Sequence, residues 1–271
     1  MAGVESGRVC VFGPGGQVGA AAWPVLSKRY TLRLVDVATI EQVLARPKDG
    51  ISPHWNEAPQ PPHEWVPADL TDYAQVERAM AGCDAVVNLS VIREKPELAF
   101  RVNAVGVYNI LKAAVKLRPR RVVQTGMICV TGYGYEGDLR YDFRIPEDFP
   151  LHPGSGLYGL SKQLGMELAT VFAERHGLDV LTVVFHRLRA HDAPDSRDDH
   201  VVIPYSIAFD DLGGALECAL RAPTLPRPNE VFFICAHIPT GKFSPDKAER
   251  LLGWKPKRDF ERFYRLPTST A

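Results

Sequence analysis

Short apolar runs recur along the chain, and the stretches between them carry apolar residues at three- and four-residue intervals. The runs "RVCVFG" (Arg8–Gly13), "TLRLVD" (Thr31–Asp36), "WVPADL" (65–70), "CDAVVNL" (Cys83–Leu89), "RRVVQTG" (120–126), "LDVLTVVF" (178–185) and "VFFIC" (231–235) predict strands. The run "RVCVFG" is short, apolar and ends in glycine, which suits a buried strand. Between them "GGQVGAAAWPVLSKR" predicts a helix in which Pro24 makes a kink or a late start. Thr71 or Asp72 can cap the next helix, with Gly82 past its end. Pro96 suits the first turn of a long helix, "PELAFRVNAVGVYNILKAAVKL", and Gly177 closes "LYGLSKQLGMELATVFAERHG". Further on, "DDLGGALECALRAP" and a helix opened by Ser244 and Pro245 complete the set.

Strands alternating with helices of this length predict an α/β fold, a Rossmann-type doubly wound parallel sheet. After residue 186 the alternation loosens. We expect residues 1–185 to form the nucleotide-binding part and residues 186–271 a small C-terminal lobe packed on it, the two making one compact unit. The segment 47–67 contains six prolines and predicts a long surface loop. Its His54, Trp55, His63 and Trp65 lack metal-site spacing and form a lid, a subunit contact or a packed surface.

Composition narrows the class further. Lys+Arg and Asp+Glu balance at 32 each, so nothing pulls the 271-residue chain toward nucleic acid or an anionic membrane. The five cysteines (Cys10, Cys83, Cys129, Cys218, Cys235) are scattered and odd in number, which suits reduced thiols in a cytoplasm. The N-terminus shows no charged-then-apolar leader, and no apolar run is expected to span a bilayer.

The chemistry begins at "FGPGGQVG". Gly13, Gly16 and Gly19 follow the first strand at three-residue spacing and open a helix. In such a turn one glycine permits the tight bend, one lets a pyrophosphate approach the backbone, and one lets helix pack on strand. Gly15, Gln17 and Val18 complete the turn, and the helix N-terminus adds amide donors. Asp36 ends the second strand about 20 residues on, where a carboxylate binds ribose hydroxyls and repels a 2′-phosphate. NAD is therefore the expected cofactor.

Tyr158 and Lys162 are four residues apart in "YGLSK" and share a helix face. An ammonium beside a phenol favours the phenolate, so such a tyrosine can exchange protons with a substrate hydroxyl while hydride moves to or from nicotinamide.

With these motifs the chain resembles the extended short-chain dehydrogenase/reductase superfamily, in its NAD-dependent epimerase/dehydratase group, along nearly its whole length. The likeness includes "GPGGQVG", Asp36, the "ADL" of Ala68–Leu70, "NLS" (Asn88–Ser90), "VNAVGVYNIL", "YGLSK" and the late "KAERLLGWKP". It implies that Asp69 and Leu70 lie near adenine, that Leu89, Ser90 and Asn103 lie beside the cofactor, and that Tyr158 and Lys162 are catalytic. It also implies a homodimer paired through the helices around 97–117 and 157–176. The stretch "GLYGLSKQLGMELATVFAERHGL" and the short overall length are most similar to the uronate dehydrogenase branch, so the expected substrate is a small sugar or sugar acid.

One departure stands out. The family places a substrate-polarising serine or threonine after the fifth strand, and here that stretch reads "TGMICVTG". Three registers put Met127, Cys129 or Gly126 at the position, and none is a hydroxyl. Methionine, thiol and glycine offer little or no donor. Thr125 is either the replacement or an ordinary strand residue, and Thr131, Tyr133 and Tyr135 are alternatives from the loop. After the sixth strand "VVFHRLRAHD" puts bulky Phe185 and His186 where the family carries small residues. His186 and His191 read as catalytic or as polar surface, and Arg187 and Arg189 as carboxylate ligands or solvated cations. Two functions stay open: a dehydrogenase or epimerase acting on a sugar hydroxyl, and a catalytically degraded relative that binds NAD(H) as a sensor or partner subunit.

Overall fold

In the computed structural model of the protein the described residues are 3–127, 144–148, 156–185, 187–190, 206–238 and 243–260. The first half runs β1 (Gly7–Phe12), α1 (Gln17–Leu26), β2 (Tyr30–Asp36), α2 (Ile40–Leu44), β3 (Glu64–Pro67), α3 (Tyr73–Met80) and β4 (Ala85–Asn88). Then come α4 (Pro96–Phe100), a π-helical segment (Arg101–Gly106), α5 (Val107–Leu117), β5 (Arg121–Gly126), α6 (Leu157–His176) and β6 (Val180–Val184). The last elements are β7 (Arg187–Arg189), β8 (Ser206–Ala208), α7 (Phe209–Arg221), β9 (Asn229–Phe233) and α8 (Asp246–Leu252).

Seven strands pair in parallel in the order β3-β2-β1-β4-β5-β6-β9. The chain works outward from β1 in one direction, then returns to place β4 on its other side. That reversal opens a crevice above the carboxyl ends of β1 and β4, where ligands of open α/β sheets bind. One apolar cluster joins the sheet to α1 and α7 through residues such as Val9, Val11, Leu26, Leu212 and Leu216. A second joins the opposite face to α3, α5 and α6 through Cys10, Val86, Ile110, Leu111 and Ala169. Covering both faces is what makes the central strands β4 and β6 buried along their whole length, whereas the outer β2 and β3 keep polar and part-exposed positions.

Most predicted helix ends are met in detail. Asp72, not Thr71, caps α3 by accepting from the amides of Ala74 and Gln75. Gly177 closes α6 at a φ of 64°. α1 starts at Gln17 and runs on through Pro24, so the late start does not occur. With two helical turns before it, Pro24 is an interior proline, which cannot donate the hydrogen bond that the Ala20 carbonyl would otherwise accept. The short α2 lay below the periodic pattern, although Thr39 and Gln42 make a capping box there.

Two other elements need tertiary context. The stretch from Pro96 to Leu117 is long and apolar enough to cross a membrane, contrary to expectation, yet half of it is buried against the rest of the fold. Its middle turn is π-helical, a distortion concentrated at functional sites in proteins generally. β7 and β8 are three-residue parallel strands outside the main sheet. Part of the segment expected as a C-terminal lobe belongs to the sheet itself: β9 extends it beyond β6, and α7 packs on α1.

Arg121 locks that C-terminal part to the sheet. Its side chain is fully buried at the start of β5 and pairs with Asp179 at 2.7 Å. It also donates to the carbonyls of Ala219 and Ala222, at 2.9 and 2.6 Å, where α7 ends and its carbonyls lack helical partners. Arg121→Met leaves the half-buried Asp179 carboxylate and these buried carbonyls without their donor, so urea unfolding should show a loss of about 2–4 kcal/mol. A midpoint unchanged from the wild type would remove this lock from the account.

Candidate active site

Gly13 leaves β1 with its amide bonded to the Val35 carbonyl at 2.9 Å and a φ of 72°. A Cβ there would lie 2.7 Å from the Cα and the amide nitrogen of Ser90, at the end of β4. The turn therefore closes against the neighbouring strand end only as glycine. Leu89 completes the contact by donating its amide to the Phe12 carbonyl at 2.8 Å.

The next residues build a cradle. The Gly15 amide donates to Asp36 Oδ2 at 3.0 Å, and the Ala38 amide donates to Oδ1 of the same carboxylate at 3.1 Å. Gly16 is the N-cap of α1, without a side chain, and a Cβ built on it meets nothing nearer than the Gly13 carbonyl at 4.0 Å. At Gly19 an added Cβ would fall 2.1 Å from the Pro14 carbonyl oxygen, so helix and turn touch backbone to backbone. Gly13, Gly16, Gln17 and Val18 border a cleft of about 470 Å³, with Leu89 on the opposite side. The open space over Gly16 and the positive end of α1 suit a pyrophosphate, and Asp36 retains acceptor capacity for ribose hydroxyls. These residues fit NAD.

Asp69 and Leu70 follow β3. Asp69 is held by the Thr71 amide and the Gln75 side chain, and the Leu70 carbonyl accepts from Asn109 at 3.0 Å. Asn103 sits buried in the π-helical turn. Its side chain bonds both the amide and the carbonyl of Ile92, at 3.1 and 2.8 Å, and donates to Ser161 Oγ at 3.0 Å. The loop after β4 is thereby fixed to α6. α6 approaches this turn through Gly165, where a Cβ would stand 2.6 Å from the Asn103 carbonyl oxygen.

Tyr158 and Lys162 lie one turn apart on α6, Tyr158 half-buried and Lys162 buried. Lys162 Nζ donates to the Thr125 carbonyl at 2.7 Å, so the ammonium is held at the end of β5. Thr125 thus meets Lys162 through its carbonyl. On β5 its side chain shares a face with Val123, which packs toward α1 and α7, whereas Gly126 shares the α6 face with Val122.

Of the three positions considered for the missing hydroxyl, Met127 is buried and Cys129 lies outside the described residues, as do Thr131, Tyr133, Tyr135, His186 and His191. Gly126 is wedged: a Cβ would stand 2.7 Å from a Val184 methyl, 2.8 Å from a Thr182 methyl and 3.2 Å from Met166 Sδ. At β7, Leu188 borders the cleft, and Arg93 and Lys95, from the loop after β4, border it with Glu94 between them. Sequence reading missed this cationic pair because a loop position carries no periodicity to show which way it faces. It also missed Ser161, whose contact with Asn103 spans 58 residues.

The profile of the NAD-dependent epimerase/dehydratase family matches residues 9–213. A uronate dehydrogenase of Agrobacterium fabrum is 30% identical over 210 residues, 77% of this chain and 74% of that protein. An NAD-dependent glucose-6-phosphate dehydrogenase of Haloferax volcanii is 26% identical over 94% of this chain and 95% of its own length. Among solved structures, a mutant of the Agrobacterium tumefaciens uronate dehydrogenase complexed with NAD superposes with a TM-score of 0.73. It is 26% identical and covers 95% of this chain and 87% of that one.

The wedge at position 126 has a measurable consequence. Gly126→Ser pushes its side chain into the stiff methyls of Val184 and Thr182, and should lower stability by about 1–3 kcal/mol in thermal or urea unfolding. A variant as stable as the wild type would show that the α6 face of β5 has room for a hydroxyl at this position.

Proposed function

This chain belongs to the NAD-dependent epimerase/dehydratase family, and on that premise we propose that it oxidises a hydroxyl of a sugar or sugar acid. NAD is its cofactor and, when bound, supplies the hydride acceptor. Gly13, Gly15, Gly16, Gln17, Val18 and Gly19 hold the pyrophosphate, with Asp36 on the adenosine ribose. Asp69, Leu70, Leu89, Ser90 and Asn103 shape the rest of the cofactor site. Tyr158 accepts the substrate hydroxyl proton. Lys162 stabilises the phenolate and anchors the second ribose, and the Thr125 carbonyl fixes its ammonium. The single observation behind this assignment is the Lys162–Thr125 contact, which brings a buried cation to the carboxyl end of β5 on the same helix face as Tyr158. Arg93 and Lys95 border the cleft with Glu94 between them, a net excess of one positive charge that favours an anionic sugar, and the relatives' names specify a uronate and a sugar phosphate.

The buried Met127 and the wedged Gly126 favour a second reading, a relative that binds NAD(H) as a sensor without turnover. Loss of one positioned donor in a site of this kind costs on the order of 10²–10³ in rate. Tyr158→Phe separates the two. A dehydrogenase should lose about 10²-fold or more in kcat on hexuronates while its NADH affinity stays within about twofold of the wild type. No turnover in either protein, together with tight NADH binding in both, would instead establish the sensor.

A homodimer fits the outer faces of the paired helices, and the reduced thiols fit a cytoplasmic setting. Leu157, Leu160, Leu164 and Val171 are exposed on α6 at spacings of three, four and seven, and Leu98, Val105 and Tyr108 stand exposed on the adjoining helical stretch. Two such stripes on neighbouring helices can pack against their own copy as a four-helix contact. Leu164→Asp should convert a dimer to a monomer by light scattering after size exclusion. A wild-type protein that is already monomeric at micromolar concentration would end the dimer proposal.

A further inference from the structure

The proline-rich segment between β2 and β3 packs beneath the glycine turn and bonds to it at several places. Trp55, buried, donates its indole N–H to the Pro14 carbonyl at 2.8 Å. Arg46 donates to the Gly15 carbonyl at 2.7 Å, and Gln17 donates to Ser52 Oγ at 2.9 Å. Trp55 is itself fixed among rings. Its centroid lies 5.1 Å from that of Trp23 on α1 and 5.4 Å from that of Trp65 on β3, and His63 stands edge-on to Trp23. The tertiary contacts of Trp55 thus come from α1, β3 and the turn itself.

Peptide planarity makes these bonds directional. The Pro14 carbonyl and the Gly15 amide are two ends of one peptide unit, which Trp55 holds by its oxygen and Asp36 by its N–H. The next unit joins the Gly15 carbonyl to the Gly16 amide. With its oxygen held by Arg46, a trans peptide directs the Gly16 N–H the opposite way. Flipping the Gly15–Gly16 unit would turn a carbonyl oxygen toward the space where phosphates bind, flipping the Pro14–Gly15 unit would turn one against the Asp36 carboxylate, and glycines offer little steric resistance to either. We propose that the proline-rich segment is a brace on the pyrophosphate-binding turn, with Trp55 and Arg46 as positioning residues, Trp55 holding the peptide unit whose amide bonds Asp36 and Arg46 the unit whose Gly16 amide faces the phosphates.

This inference rests on the proposal that the glycine turn holds NAD, and the test separates the two. NADH, ADP and adenosine are titrated by calorimetry into the full chain carrying Trp55→Phe or Trp65→Phe. Both variants lose an indole donor within the same ring cluster, but Trp65 donates to the Ala38 carbonyl rather than to the turn. Trp55→Phe should weaken NADH and ADP by about 3- to 10-fold and leave adenosine within about twofold, whereas Trp65→Phe should leave all three within about twofold. Arg46→Met, at an exposed position, keeps the test decisive if Trp55→Phe fails to fold; it should weaken ADP similarly, with recovery in Arg46→Gln, which retains a donor without the charge. Equal behaviour of Trp55→Phe and Trp65→Phe, or an Arg46→Met indistinguishable from the wild type, overturns the brace while the NAD assignment stands. A wild-type protein that binds neither NADH nor ADP overturns both.

Discussion

Where β1 ends, the backbone must turn within one residue and still lie against the end of β4. Gly13 meets both demands, with a φ of 72° and no atom where a Cβ would strike Ser90. The rest of the site depends on that contact. It closes the switch point of the sheet, starts α1 four residues later, and brings Leu89 and Ser90 beside the glycine turn. Any larger residue would separate the two strand ends and widen the crevice proposed to hold the dinucleotide.

The glycines that allow this turn also leave it soft, and the structure compensates from outside. Asp36 reaches back from β2, and Trp55, Arg46 and Ser52 reach in from the segment that follows. The same logic recurs at the second half of the site. There the loop after β4 has little structure of its own, and Asn103 holds it by both main-chain groups of Ile92 while tying it to Ser161. Each flexible binding loop is thus pinned by a side chain from a rigid neighbour, which lowers the ordering cost of binding.

The chemistry at α6 is set by packing as much as by residue type. Lys162 is buried, and a buried ammonium needs an acceptor; the Thr125 carbonyl provides it at the end of β5. Gly165 lets α6 approach the π-helical turn closely enough for Ser161 and Asn103 to bond. Against this well-formed half, the end of β5 is unusual. Gly126 is enclosed by Val184, Thr182 and Met166, and Met127 is buried, so apolar packing surrounds two of the three positions considered for the hydroxyl.

Much of the molecule is legible in the sequence because its signals are local. Short apolar strands, the caps at Asp72 and Gly177, the glycine spacing after β1 and the strand-end Asp36 each follow from a few neighbouring residues and one physical rule. The helical spacing of Tyr158 and Lys162 is local in the same way. What the tertiary structure alone decided are contacts between distant segments. Trp55 meets Pro14 across 41 residues, Asn103 meets Ser161 across 58, and Arg121 meets the end of α7 across about a hundred. None leaves a periodic trace, since a single hydrogen bond from a loop or a buried arginine constrains only one residue at each end. The sequence by itself determined a glycine turn after the first strand and a helix that carries Tyr158 and Lys162 one turn apart. Their mutual placement, and the bonds that keep the turn facing its cofactor, came from the packing of remote side chains, because direction is a property of the folded chain.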